Sequence, residues 1–417
     1  MNRADVETAL EIMRGLFPET PLQYNQHLSS RFGADIWLKR EDLTPVRSYK
    51  IRGAFNFMRK VIGRGGQGRT TFVCASAGNH AQGFAFVCRH FGVEGVVFMP
   101  VTTPQQKIEK TRIFGGGTIE IRLVGDIFDQ CYAAARTFVE ETGGHMVPPF
   151  DHDDIIEGQA TVAAEIMTQL PGDVVPDLVL MPVGGGGLSA GMTGYLDGIV
   201  KDESFLLVEP AGAPSLKRSL ESGHIVTLPK VDNFVDGAAV ARIGDLNFAA
   251  LARFDSAQVL LLPENALCVT MIDMLNVEGV VLEPAGALSV AALDRLGAAR
   301  LKGKTVVCVV SGGNFDFERL PDVKERAMRF SGVKKYFVLR LPQRPGALRD
   351  FLQLLGPNDD IARFEYLKKS ARNFGSVLLG IETTAPENFV GLFERIDAAG
   401  LTYEDITENE VLGNFLI

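Results

Sequence analysis

"PDLVLMPVGGGGLSAG", Pro176–Gly191, is the stretch on which the fold turns. An apolar run ends in four glycines and passes at once into helix-period sequence, "LSAGMTGYLDGIV". A continuous apolar strand that feeds a helix is the unit of a parallel sheet covered on both faces. In the turn, the side-chain-free residues Gly184 to Gly187 let successive amides aim at one anion, and the helix N-terminus adds its positive dipole. The pattern reads as a phosphate cup; the plainer reading is a tight strand-to-helix turn. No GxGxxG spacing accompanies it and no GKS or GKT follows, so a dinucleotide fingerprint and a P-loop are not the natural alternatives.

The same unit recurs from about Ala34 to Gly313. "TTFVCASAGN" runs into "HAQGFAFVCRHFG" and "GVVFMP" into "PQQKIEKTRIFG", with "SFLLVEPAG" and "TVVCVVSGGN" further on. The fold class is therefore α/β with a parallel sheet. Ligands of such sheets sit at the carboxyl ends of the strands, so "SAGNH" (Ser76–His80), "GGGG" (Gly184–Gly187) and "SGGN" (Ser311–Asn314) are expected to converge. From Phe315 to Lys335 the sequence is charged and lacks a strand, which reads as a linker. Beyond it the order strand, helix, strand, strand, helix, strand is that of a ferredoxin-like βαββαβ unit.

Composition narrows the function. With 417 residues, 46% apolar and 22% charged, the chain can bury a large core over two or three domains and lacks the bias of disorder. A net charge of -9, without lysine/arginine clusters interleaved with aromatics, argues against nucleic acid or an anionic membrane and for a small-molecule ligand. The five cysteines are scattered, with no CxxC, which suggests neither disulfides nor a zinc site and fits a reducing cytoplasm. No 18 apolar residues run together and the N-terminus lacks the apolar core of a signal peptide, so a soluble protein is expected.

"SYKIRGA", Ser48–Ala54, sets Lys50 among Tyr49, Ile51, Gly53, Ala54 and Phe55. A surface lysine is the bland reading. Partial burial would lower its pKa and free the amine as nucleophile or base, and together with a phosphate cup this suggests a Schiff base to a phosphorylated aldehyde.

Five motifs now align. "LKREDLTPVRSYKIRGA", "SAGNHAQGFA", "PFDHDDIIEGQATVAAEI", "PVGGGGLSAG" and "VVSGGN" resemble, in order and spacing, the motif series of fold type II (tryptophan synthase β-like) pyridoxal-phosphate enzymes, the biosynthetic threonine dehydratases among them. The resemblance implies a catalytic domain over 1–320 with two subdomains, the smaller roughly 53–150, a linker at 321–333, and an ACT-like regulatory domain at 334–417. Pyridoxal 5'-phosphate is the implied cofactor. Lys50 matches the Schiff-base lysine and, once released, the base for the α-proton. Gly184, Gly185, Gly186 and Gly187, with the Leu188 amide, match the phosphate cup, the phosphate being similar to the family's proton donor to the leaving hydroxyl. Asn79 matches the residue bonding the cofactor's phenolic oxygen. Ser76, Ala77, Gly78, Asn79 and His80 resemble the loop that grips the substrate carboxylate. Ser311 matches the partner of the pyridine nitrogen; a hydroxyl is too weak an acid to keep that nitrogen protonated, which favours β-elimination over transamination.

Other residues carry weaker readings. For His80, capping of the following helix competes with catalysis. Glu283 resembles a glutamate near the pyridine end, or simply starts a helix. Glu209 stands where some relatives bind a cation, but Ser215 replaces their aspartate, so no metal is assigned. Relatives that racemise serine carry "SSGNH"; the methyl of Ala77 cannot exchange a proton, so racemisation should be poor. In the C-terminal module "LPQRPGAL" places Gly346 where amides could accept an amino-acid effector's carboxylate, or where a helix merely begins. The resemblance implies conversion of L-threonine to 2-oxobutanoate and ammonia, some action on L-serine, isoleucine inhibition, and a homodimer or homotetramer. A serine or hydroxyaspartate dehydratase, or an amino-acid-binding protein with decayed catalysis, are the rivals.

Overall fold

The computed structural model describes residues 1–65, 70–367 and 373–409. The chain divides into two compact units, Met1–Asp316 and Phe317–Ile417. Residues 368–372 and 410–417, both within the stretch read as regulatory, lie outside the described residues.

Unit one contains two sheets. The larger has the order Leu22–Tyr24, Asp35–Arg40, Thr305–Val310, Leu178–Pro182, Phe205–Pro210, Val259–Leu262. Its pairs are parallel except the first. Leu178–Pro182 and Phe205–Pro210 are buried throughout, because helices cover both faces and leave no side for polar residues. The smaller sheet is wholly parallel, in the order Ile119–Leu123, Glu94–Met99, Thr71–Ala75, His145–Met146. Each sheet has its own core: Val162, Ile166, Met181, Leu207 and Val309 for the larger, Ile51, Phe55, Phe72, Phe84 and Val97 for the smaller.

The helix Lys50–Gly65 begins where three helices meet closely. A Cβ on Gly83, in the helix Asn79–Phe91, would stand 3.1 Å from the Ile51 nitrogen, and one on Gly158, in the helix Asp153–Gln169, 2.6 Å from the Arg52 carbonyl. Glycine is required there because backbone meets backbone, and the contact fixes the first turn that carries Lys50.

Unit two has a four-stranded antiparallel sheet in the order Asp360–Leu367, Phe374–Glu382, Lys334–Pro342, Thr402–Asp405. The helices Ala347–Leu352 and Asn388–Ala398 complete the βαββαβ sequence over a core of Phe337, Leu339, Val377, Leu379 and Leu392. The stretch read as a linker, 321–333, is instead largely a helix, Leu320–Phe330. Pro321 occupies its first turn, Val323 and Ala327 bury one stripe, and Asp322 pairs with Arg326 at 2.9 Å on the helix surface. Dense charge on the outer face masked a narrow apolar stripe of helical period.

Candidate active site

Lys50 opens its helix and is half-buried. Its Nζ donates to the Pro149 carbonyl at 2.9 Å, with the rings of Tyr49 and Phe150 at 5.4 and 5.8 Å. Burial lowers its pKa to about 8, the Glu283 carboxylate opposing the shift. The free amine, which a nucleophile or base requires, is therefore reached closer to neutrality than for an ordinary lysine.

The turn Gly184–Gly187 packs against Phe150, whose ring also lies 5.8 Å from this amine. Gly186 has φ 90° and starts the helix Gly187–Leu196, which no side chain caps. A Cβ on Gly184 would sit 2.9 Å from the Ala238 Cα, one on Gly187 2.8 Å from the Phe150 carbonyl, and one on Gly185 would overlap the Phe150 ring. Every position of the turn is thus closed to side chains, leaving a run of backbone amides that the buried Leu188 continues. That is the donor set for a dianionic phosphate.

The other two loops meet beside Lys50. The Tyr49 amide donates to the Ser311 carbonyl at 3.2 Å, and Ser48 bridges to Gly312. Asn314 Nδ2 donates to Asn79 Oδ1 at 2.8 Å, and Asn79 Nδ2 donates to Glu283 Oε1 at 2.7 Å. Burial and the neighbouring Asp236 push the Glu283 pKa to about 8. Although Glu283 precedes the helix Pro284–Leu296, its carboxylate makes no cap; the helix-start reading gives way to a contact with Asn79. Ser311 is buried and its hydroxyl donates to the Ala285 carbonyl at 3.3 Å, a long bond that a better acceptor can displace.

In the loop Ser76–His80, the helix Asn79–Phe91 starts from Gly78 with no side-chain cap, and the Gly78 amide reaches Ser76 Oγ at 3.2 Å. Ala77 is half-buried. His80 neither caps nor faces the lysine as a base: its Nε2 lies 2.9 Å from the Val147 carbonyl, and burial, with the Lys50 charge, lowers its pKa to about 4. The ring is neutral and donates to that carbonyl.

Glu209 is buried and accepts from the amides of Leu216 and Lys217 at 2.7 and 3.0 Å, spending its carboxylate on the helix Ser215–Ser222. Burial raises its pKa to about 7. Among the described residues no group of three His, Cys, Asp or Glu side chains is arranged to hold a metal.

Sequence reasoning assigned no role to Phe150, Asn247 or Arg52. Phe150 and Arg52 lie within the motifs "PFDHDDIIEGQATVAAEI" and "LKREDLTPVRSYKIRGA", and Asn247 lies in none. Arg52 is fully buried, with Nε 2.7 Å from Glu41 and Nη2 2.7 Å from Glu165. Lys39 lies 2.6 Å and Arg14 2.7 Å from Glu165. Burial alone would raise the Glu165 pKa, but Arg52 and Lys39 hold it well below the usual carboxylate range.

With a lysine of lowered pKa, a glycine turn closed to side chains and the loops Ser76–His80 and Ser311–Asn314 linked beside it, the site has the form of a pyridoxal-phosphate enzyme's. A profile of the family "Pyridoxal-phosphate dependent enzyme" matches residues 14–312, and one of the "C-terminal regulatory domain of Threonine dehydratase" matches 325–416. The biosynthetic L-threonine dehydratase of Bacillus subtilis (strain 168) is 47% identical over 399 residues, 95% of this chain and 93% of that protein. That of Mycobacterium bovis is 45% identical, covering 100% and 96%. Among solved structures, processed threonine deaminase isoform 2 from Solanum lycopersicum superposes with TM-score 0.70 at 34% identity, over 78% of this chain and 93% of that one. The chain belongs to the biosynthetic L-threonine dehydratase family.

Proposed function

We propose that the protein converts L-threonine to 2-oxobutanoate and ammonia, and that it accepts L-serine more weakly. The observation that carries this reading is the pairing of a half-buried, partly unprotonated Lys50 with a glycine turn closed to side chains. Pyridoxal phosphate, when bound, supplies an aldehyde for amine attachment and a ring that takes up the electron pair of the α-carbon. Gly184 to Gly187 and Leu188 would hold its phosphate, Asn79 its phenolic oxygen and Ser311 its ring nitrogen. The amides of Ala77 and Asn79, with the Ser76 hydroxyl, would orient the substrate carboxylate, the Ser76 amide being held by the Phe98 carbonyl. Lys50 Nζ would take the proton from the α-carbon, and the β-hydroxyl would leave as water. Hydrolysis of the resulting enamine returns that water and frees ammonia. One methyl in a pocket discriminates by only about 10- to 200-fold, so serine is expected to react.

The second unit is proposed to bind an amino-acid effector, isoleucine by family, that lowers activity by favouring a less active arrangement of subunits in a homodimer or homotetramer. Five free, buried cysteines support a cytoplasmic setting, and no described helix is long and apolar enough to cross a membrane. The test is 2-oxo acid formation by purified protein from threonine and serine, with and without isoleucine and valine. No 2-oxo acid from either substrate in the presence of pyridoxal phosphate would overturn the reading.

A further inference from the structure

Asn247 is fully buried on the short helix Asp245–Leu251. Its Nδ2 donates to the Gly185 carbonyl at 2.7 Å and to the Phe150 carbonyl at 3.3 Å. Both acceptors are carbonyls, so the orientation of the amide is dictated by its partners. Its Oδ1 is buried without a partner, so the side chain is retained for what it donates despite the cost of an unpaired acceptor. Around it the Gly244 amide reaches the same Gly185 carbonyl at 3.2 Å, and the Asp151 carboxylate accepts from the amides of Asp245 and Leu246 at 2.8 and 3.0 Å. Residues 149–151, 184–187 and 244–247 are thereby tied together.

The Gly185 carbonyl and the Gly186 amide share one peptide plane and point in opposite directions. Holding that carbonyl against Asn247 turns the Gly186 N–H to the other side. Gly186 sits at φ 90°, a region where glycine moves freely, so the plane of this peptide is not fixed by the local chain.

We propose that Asn247 is a positioning residue for the phosphate cup, locking the Gly185–Gly186 peptide so that its amide faces the coenzyme phosphate. The inference rests on the pyridoxal-phosphate reading above. Because the phosphate alone is at issue, Asn247 should matter for pyridoxal 5'-phosphate and not for pyridoxal, which lacks it.

The experiment titrates the cofactor-free full chain with each compound, read by visible absorbance. Wild type that fails to take up pyridoxal 5'-phosphate would defeat the proposed function itself. Given wild-type uptake, Asn247→Leu should weaken pyridoxal 5'-phosphate by about 10- to 100-fold, the worth of a hydrogen bond to a charged group, and leave pyridoxal within about twofold. The phosphorus NMR resonance of the bound phosphate should move with it. Equal weakening of both compounds, or of neither, would overturn the proposal. If Asn247→Leu does not fold, Asn247→Ser, which also cannot span to both carbonyls, decides on the same ratio.

Discussion

Two electrostatic arrangements in the first unit differ in what is left for a ligand. In one, Arg52, Lys39, Glu41 and Glu165 pair with one another inside the protein, and the partly exposed Arg14 joins them at Glu165. In the other, the turn Gly184–Gly187 presents main-chain donors and a helix N-terminus, with no charged side chain on it. The first gains its stability by exhausting its charges, since a buried ion is tolerated only when paired and hydrogen-bonded. The second keeps its donors for an incoming anion. The difference teaches that the scaffold and the binding surface can adjoin without exchanging roles, because one uses side chains and the other backbone.

The comparison can be broken in graded steps. Lys50→Ala, which removes the amine and spares both arrangements, should cut 2-oxo acid formation by roughly 10,000-fold and leave the thermal midpoint of the cofactor-free chain unchanged. Glu165→Gln leaves Arg52 and Lys39 short of a buried counter-charge and should cost about 3–5 kcal/mol in denaturant unfolding, without altering the preference for pyridoxal 5'-phosphate over pyridoxal. Gly185→Ala does the reverse. Its methyl overlaps the Phe150 ring, and overpacking of about 1–3 kcal/mol should appear as weaker pyridoxal 5'-phosphate uptake in a titration.

A pH series sharpens the contrast. Burial brings the Lys50 pKa down to about 8, so the nucleophilic fraction grows as pH rises through that value. Cofactor capture by the empty chain, followed by stopped-flow absorbance, should accelerate from pH 7 to pH 9 and then level off. A rise that continues toward the ordinary lysine value would contradict the desolvated environment. The smallest effect is expected at Ala77: Ala77→Ser should change stability by no more than about 1 kcal/mol, yet it adds a hydroxyl to the loop Ser76–His80, and chiral chromatography should then detect D-serine formed from L-serine.

Much of this was legible in the sequence where chemistry imposes a local pattern. Four glycines after an apolar strand leave few alternatives, and a lysine followed by Gly53 and Ala54 announced tight packing. The ferredoxin-like alternation of the C-terminal module could be read because its strands and helices have different periods. The helix Leu320–Phe330 was hidden by its charges, whose pairing needs no apolar signal. Asn247 could not be found at all, since its partners lie 62 and 97 positions away. For His80 the sequence left capping and catalysis open, and only the fold shows that its ring turns to Val147.

The strand Thr305–Val310 lies between Asp35–Arg40 and Leu178–Pro182 in the larger sheet, and Ser48 is bridged to Gly312 just beyond it. During translation, the middle of that sheet stays open until residue 310 has left the ribosome, and the Ser48–Gly312 bridge and the Tyr49–Ser311 hydrogen bond next to Lys50 cannot form before then. Coenzyme capture must therefore follow synthesis of nearly the entire first unit, which makes loading a late event in the life of each nascent chain.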